Sequence, residues 1–227
     1  MNAVFLFDVD NTLLDNDRVS TDLRAHLEAE VGEDCGRRYW ELFEELRNEL
    51  GYADYLGALQ RYRNDRPRDL RVLTVAHFLI SYPFANRLFP GALDALDHCA
   101  AIGTTAILSD GDVVFQPRKV RRSGLYDAVA GRVMIYIHKE HELDDVAARL
   151  PADHYVLVDD KVRILAAVKA VWGSRVTTVW PRQGHYALDV AEVSRYPAPD
   201  LTIERIGDLV EHHRDGLVAA AKDGVEP

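Results

Sequence analysis

A chain of 227 residues can bury one sizeable core and carry a modest second domain, and no apolar run in it reaches the length needed to span a bilayer. Its formal net charge of -10 at pH 7 argues against nucleic acid as a partner, because a phosphate backbone demands a basic face. Cys35 and Cys99 have neither CxxC spacing nor a neighbouring histidine pair, so no disulfide framework or zinc site is expected. The N-terminus lacks the features of a secretory signal, which with the cysteine usage points to a cytoplasmic protein without a membrane partner. Nothing in the composition fixes an oligomeric state.

Six short apolar segments, rich in β-branched and aromatic residues, read as strands: Val4 to Phe7, Thr105 to Leu108, Val133 to Ile137, Tyr155 to Val158, Val176 to Val179 and, as an edge, Leu201 to Ile203. Their near-continuous apolarity suits a parallel sheet covered on both faces. Helix-like patterns at Gly91 to Ala101 and Val162 to Val171 place them in a doubly wound α/β fold. The interval from about Asp15 to Arg87 breaks this alternation. Leu23, Leu27 and Val31 fall on one helical stripe; Tyr39, Phe43, Leu46 and Leu50 fall on a second that stops at Gly51; Val75 and Leu79 suggest another before Pro83. The roughly seventy residues of this interval, which lies between the first two strands, need packing of their own, so an inserted helical domain is expected there, with Tyr39 and Trp40 in its core.

Asp8 ends the first apolar strand and Asp10 follows two residues later, at the sheet edge where open α/β folds bind ligands. The string Asp8-Val9-Asp10-Asn11-Thr12 resembles the first motif, DxDxT, of the haloacid dehalogenase superfamily. That resemblance calls for a Ser or Thr ending the second strand, a downstream Lys and an acidic pair ending a later strand. Ile107-Leu108-Ser109-Asp110-Gly111, then Lys139, then Val158-Asp159-Asp160 meet these demands in order. It covers essentially the whole chain outside the inserted helices.

The resemblance implies a Rossmann-like α/β core at residues 1–14 and 88–227 and a helical cap at 15–87 that closes over the site. It also implies hydrolysis of a small phosphorylated molecule. Asp8 would attack phosphorus to give an aspartyl-phosphate, and Asp10 would protonate the leaving oxygen and then activate water. Asp10 would have to arrive protonated, a state that neighbouring carboxylates favour. Asp8, Asp159 and Asp160 offer hard oxygen ligands suited to Mg²⁺, with the carbonyl of Asp10 as a further ligand and Asp160 preferred over Asp159 for direct contact. Ser109, the amides of Asp110 and Gly111, and Lys139 would hold the transferring phosphoryl group. Lys119 competes with Lys139 for this role, but it falls in Pro117 to Arg122, which reads as an exposed basic helix.

The acidic pair departs from the Gly-Asp found in many members, and Leu165 occupies the place of a later acid. Asp10 favours phosphoryl transfer over 2-haloacid dehalogenation, because halide departure needs no proton. No lysine lies between Asp15 and Phe115, which removes cap Schiff-base chemistry. A sugar-phosphate mutase remains an alternative, with His26 and His77 available in the cap. So does a catalytically silent binding module, which the intact motifs oppose. Arg18 and the cluster Arg61, Arg63, Arg66, Arg68 and Arg71 contain the candidate substrate anchors in the cap. The loop Trp180 to Tyr186 leaves the same sheet edge and is given no role.

Overall fold

A computed structural model describes residues 2–219. Six strands form one parallel sheet: β1 (Ala3–Phe7), β2 (Thr104–Asp110), β3 (Val133–Tyr136), β4 (His154–Val158), β5 (Val176–Pro181) and β6 (Leu201–Ile203), in the spatial order β3-β2-β1-β4-β5-β6. The doubly wound parallel fold matches the expectation from the sequence, and Leu201–Ile203 is an edge strand. β2 runs two residues past its expected end, which brings Ser109 and Asp110 into the strand. The order reverses at β1, so the crevice at the carboxyl end of β1 is the topological switch point where such sheets bind ligands.

Side chains alternate across the sheet because successive Cβ atoms point to opposite faces. Phe5 and Phe7 enter one core cluster and Val4 and Leu6 the other. The first cluster is shared with the inserted helices. These are α1 (Asn16–Val31), α2 (Glu33–Leu50), α3 (Tyr55–Asp65) and α4 (Val72–Ser81), all lying between β1 and β2 in sequence. Val19, Leu23, Leu27 and Val31 form the buried stripe of α1; Tyr39, Trp40, Leu42, Phe43 and Leu46 form that of α2, which Gly51 ends in a left-handed conformation. The helix α3 was not legible as a separate element. Asp54 opens it by accepting a hydrogen bond from the Gly57 amide at 2.7 Å.

The core helices are α5 (Ala92–Ile102), α6 (Phe115–Arg122), α7 (Leu125–Ala128), α8 (Leu143–Arg149) and α9 (Val162–Trp172), with short helices α10 (Val190–Val193) and α11 (Arg214–Ala219) near the end. Cap meets core through aromatic contact: Phe115 of α6 lies 5.3 Å from the ring of Tyr55 and 5.6 Å from that of Phe84. Among the described residues no helix is long and apolar enough to cross a membrane.

The start of α5 depends on a close backbone approach. Gly91 has φ +79, and a Cβ there would lie 2.7 Å from the Cα of Gly207. Gly91→Ala should therefore destabilise the protein by roughly 2 kcal/mol or more, combining left-handed strain with backbone overlap. A denaturant midpoint unchanged from wild type would contradict this packing.

Candidate active site

Sheet register brings the sequence motifs to one edge. Phe7 pairs with Ile107 on one side and with Val158 on the other, so Asp8, Ser109 and Asp159-Asp160 emerge from three adjacent strands. The chain then reverses at Asn11, whose φ of 59 is left-handed. Its carboxamide Oδ1 accepts from the amides of Asn16 and Asp17, which ties the motif loop to the first turn of α1. Thr12 fixes the neighbouring strand end, its hydroxyl accepting from the Asp160 amide at 3.0 Å.

Two buried lysines divide the carboxylates between them. The Lys139 ammonium donates to Asp8 Oδ1 at 2.5 Å and pairs with Asp159 Oδ2 at 2.6 Å. Its backbone amide donates to Asp110 Oδ1 at 2.8 Å, so Asp110 orients the short 3₁₀ turn that carries it. Lys119 donates to both oxygens of Asp10, at 2.6 and 2.8 Å, and to Asn16 Oδ1 at 3.0 Å. The expectation of an exposed basic helix around Lys119 is therefore corrected. Asp112 Oδ1 caps α6 by accepting from the amides of Val114 and Phe115, and the inward face of the helix buries Phe115, Gln116, Lys119 and Val120. The charged neighbour of Asp10 is likewise corrected: an ammonium engages it, where the sequence reading invoked other carboxylates.

Ser109 Oγ donates to Asp8 Oδ1 at 3.2 Å and receives the Gln116 side-chain amide at 3.1 Å. The Gly111 amide does not point at a free phosphoryl position, because it already donates to Tyr136 O at 2.9 Å as β2 continues against β3. Gly111 and Asp110 nevertheless line the cleft.

Asp8, Asp159 and Asp160 each bring a carboxylate oxygen to within 4.8 Å of the others, and all three are buried. Asp159 is held by Lys139 and by the Lys161 amide. Asp160 differs: both of its carboxylate oxygens are buried without a hydrogen-bond partner among the described residues. Burial pushes Asp159 up to about 6, with Lys139 opposing, and drives Asp160 well above the ordinary carboxylate value, with Lys161 opposing and Asp159 and Asp8 reinforcing. Burial would lower the Lys139 ammonium, but Asp159 and Asp8 outweigh it and hold the group above its usual range. A buried carboxylate without a partner is costly, and three hard oxygens this close fit a divalent cation such as Mg²⁺.

Above the acids lies a cleft of about 390 Å³ between cap and core. Trp40, Phe43, Tyr52 and Tyr55 line it from the cap side, and Phe115, Tyr186 and Tyr196 line it from the core. Its cap cations are Arg24, stacked over Trp40 at 4.5 Å, and Arg47, which donates to Tyr186 Oη at 2.8 Å. None of the six arginines singled out in the sequence lines the cleft, and three of them lie in charge pairs: Arg18 with Asp22, Arg61 with Glu49 and Arg71 with Asp69. His26 stacks on Phe78, and neither it nor His77 lines the cleft.

The loop after β5 has a larger part than its sequence indicated. Gln183 donates to the carbonyls of Asn11 and Thr12, and Trp180, which the structure places within β5 itself, donates from Nε1 to Asp160 O. His185 pairs with Asp17 at the start of the cap. Its closest signal in sequence was its exit from the same sheet edge.

This architecture, a 3-2-1-4-5-6 sheet with acids at the switch point and helices inserted after β1, defines a class that the comparisons identify. Residues 3–171 match the model of the haloacid dehalogenase-like hydrolases. A solved haloacid dehalogenase-like hydrolase of Burkholderia xenovorans LB400 is 66% identical, covers 93% of this chain and 99% of its own, and superposes with a TM-score of 0.90. The chain belongs to the haloacid dehalogenase-like hydrolase family and is an enzyme.

More distant solved structures share the fold. One is the hydrolase YfnB from Bacillus subtilis, bound to magnesium, at 17% identity and TM-score 0.63 over 92% of this chain and 97% of that one. Another is an L-2-haloacid dehalogenase from Xanthobacter autotrophicus with chloropropionic acid covalently bound, at 21% identity and TM-score 0.59 over 93% and 98%. No curated protein matches the chain.

Asp159 and Asp160 keep protons in the folded state at pH values where the unfolded chain has lost them. Without metal, the contribution of Asp159 to stability therefore falls as pH rises from about 4 through about 6, and that of Asp160 falls in the same direction. Asp160→Asn removes the charge and keeps the shape. In chelator-treated samples its stability advantage over wild type should be small near pH 4 and widen as pH rises. Denaturant unfolding across this range checks it, and a pH-independent difference would rule out an ionised Asp160 as the source of strain.

Proposed function

We propose that the chain is a Mg²⁺-dependent phosphatase that hydrolyses a small phosphomonoester through an aspartyl-phosphate on Asp8. The observation that carries this reading is Asp160, whose two buried, unpartnered carboxylate oxygens lie beside Asp8 and call for a cation. Halide displacement by a carboxylate needs no such cation. An anionic phosphate ester does, because a bare carboxylate repels it. The magnesium bound by YfnB supports the same assignment at the level of the fold.

Asp8, Asp160 and the carbonyl of Asp10 would hold the ion, which when bound offsets the charge shared by nucleophile and phosphate. Lys139 and Ser109 both engage Asp8 Oδ1, which leaves Oδ2 to attack phosphorus. Lys139 also offsets charge on the equatorial phosphoryl oxygens, and Ser109 donates to them. Asp159 aims Lys139. Asp10 handles the proton of the leaving oxygen and then that of water. The aromatic walls of the cleft exclude bulk water, and the substrate body lies against Trp40, Phe43 and Tyr186. A mutase is less supported, because neither His26 nor His77 reaches the cleft to serve a second hydroxyl. A silent binding module would have no use for Lys139 poised on the nucleophile.

With Mg²⁺ present, a screen of phosphorylated metabolites should give phosphate release that chelation abolishes. Asp8→Asn should fall to background, and Asp10→Asn should lose roughly 10²–10⁴-fold in kcat. Halide release from a 2-haloacid without metal, with no phosphatase activity, would overturn the reading in favour of dehalogenation.

A further inference from the structure

The ammonium of Lys119 uses all three of its donors on three acceptors: the two oxygens of Asp10 and Asn16 Oδ1. Its side chain is 1% exposed, whereas that of Asp10 remains 27% exposed toward the cleft. Asn16 is the first residue of α1, and its side-chain Nδ2 donates to the hydroxyl of Tyr55, which also meets Ser20 Oγ. Phe115, one turn before Lys119 on α6, packs against the ring of the same tyrosine. The lysine thus joins the second acid of the site to the cap at its hinge. Burying an ammonium is costly, and this one is stabilised only while Asp10 and Asn16 stay in place.

We propose that Lys119 is a positioning residue for Asp10: it fixes the Asp10 carboxylate for water activation and, through Asn16, makes that orientation depend on the seating of the cap. The inference rests on the phosphatase reading. In the second step the water oxygen bonds to phosphorus, the bond from Asp8 to phosphorus breaks with its electrons returning to the Asp8 carboxylate, and the water proton passes to Asp10. A carboxylate held at both oxygens by a lysine is fixed in orientation for that step. Without Lys119 the Asp10 side chain loses its aim, and the phosphorylated enzyme persists.

Lys119→Met keeps the side-chain length and removes the charge. The probe is p-nitrophenyl phosphate with Mg²⁺, whose leaving group needs no proton, so the first step proceeds without Asp10. The expected result is a burst of p-nitrophenolate close to one per active site followed by steady turnover lowered roughly 10²-fold. Lys119→Arg should recover part of that turnover, and Asn16→Ala should shift it in the same direction by less. Burst and turnover falling together, or neither changing, would overturn the inference. Should Lys119→Met not fold, the Asn16→Ala and Lys119→Arg results decide it alone. Asp8→Asn in parallel tests the underlying reading: turnover persisting there would sink the phosphatase, whereas a dead Asp8→Asn with an unaltered Lys119→Met would sink only the role of Lys119.

Discussion

The Lys139 ammonium lies between Asp8 and Asp159, and most of the site follows from that buried pairing. Three strands deliver acids to one edge of a parallel sheet, where burial penalises each charge and mutual repulsion adds to the penalty. One lysine offsets two of them and holds the nucleophile by a single oxygen. Lys119 offsets Asp10 from the other side. Asp160 feels the charge of Lys161 but has no hydrogen-bonded partner among the described residues, and this asymmetry fits a metal ion there.

The same pairing explains how the surrounding chain is built. Asp110, at the end of β2, holds the backbone turn that presents Lys139, while Thr12 and Trp180 hold the backbone of Asp160. Gln183 fastens the loop after β5 onto the motif loop, so the site is braced from both neighbouring strands. The cap enters through Asn16, Asp17 and Arg47, which meet Lys119, His185 and Tyr186 of the core. Lys119 therefore links the first turn of the cap to Asp10.

Much of this was legible in the sequence. The strands announce themselves as apolar runs because the sheet is covered on both faces, and the order of Asp8, Ser109, Lys139 and Asp159-Asp160 places four motifs at one edge. Lys119 was hidden because its helix is otherwise basic, and composition outweighed position. The signal available was spacing: Phe115 and Lys119 stand four residues apart on one helical face, with Gln116 and Val120 alongside. Gly111 was misjudged because β2 extends farther than its apolar run, so the amide expected to face a phosphoryl group completes the ladder instead. Arg24 and Arg47 could not be separated from the many other cap arginines, since only tertiary packing decides which helix face lines the cleft.

A dehalogenase that shares this fold holds chloropropionic acid covalently, and the fate of oxygen separates ester chemistry on carbon from a phosphatase reaction. In a carbon ester, water attacks the carboxyl carbon and leaves its oxygen in the aspartate; in an aspartyl-phosphate, water attacks phosphorus and its oxygen departs with the product. The most direct test is turnover of p-nitrophenyl phosphate with Mg²⁺ in heavy-oxygen water, followed by mass analysis of the released phosphate and of the peptide containing Asp8. Label in the phosphate and none in Asp8 is the predicted result. Label accumulating in Asp8, or no phosphate released at all, would contradict the account.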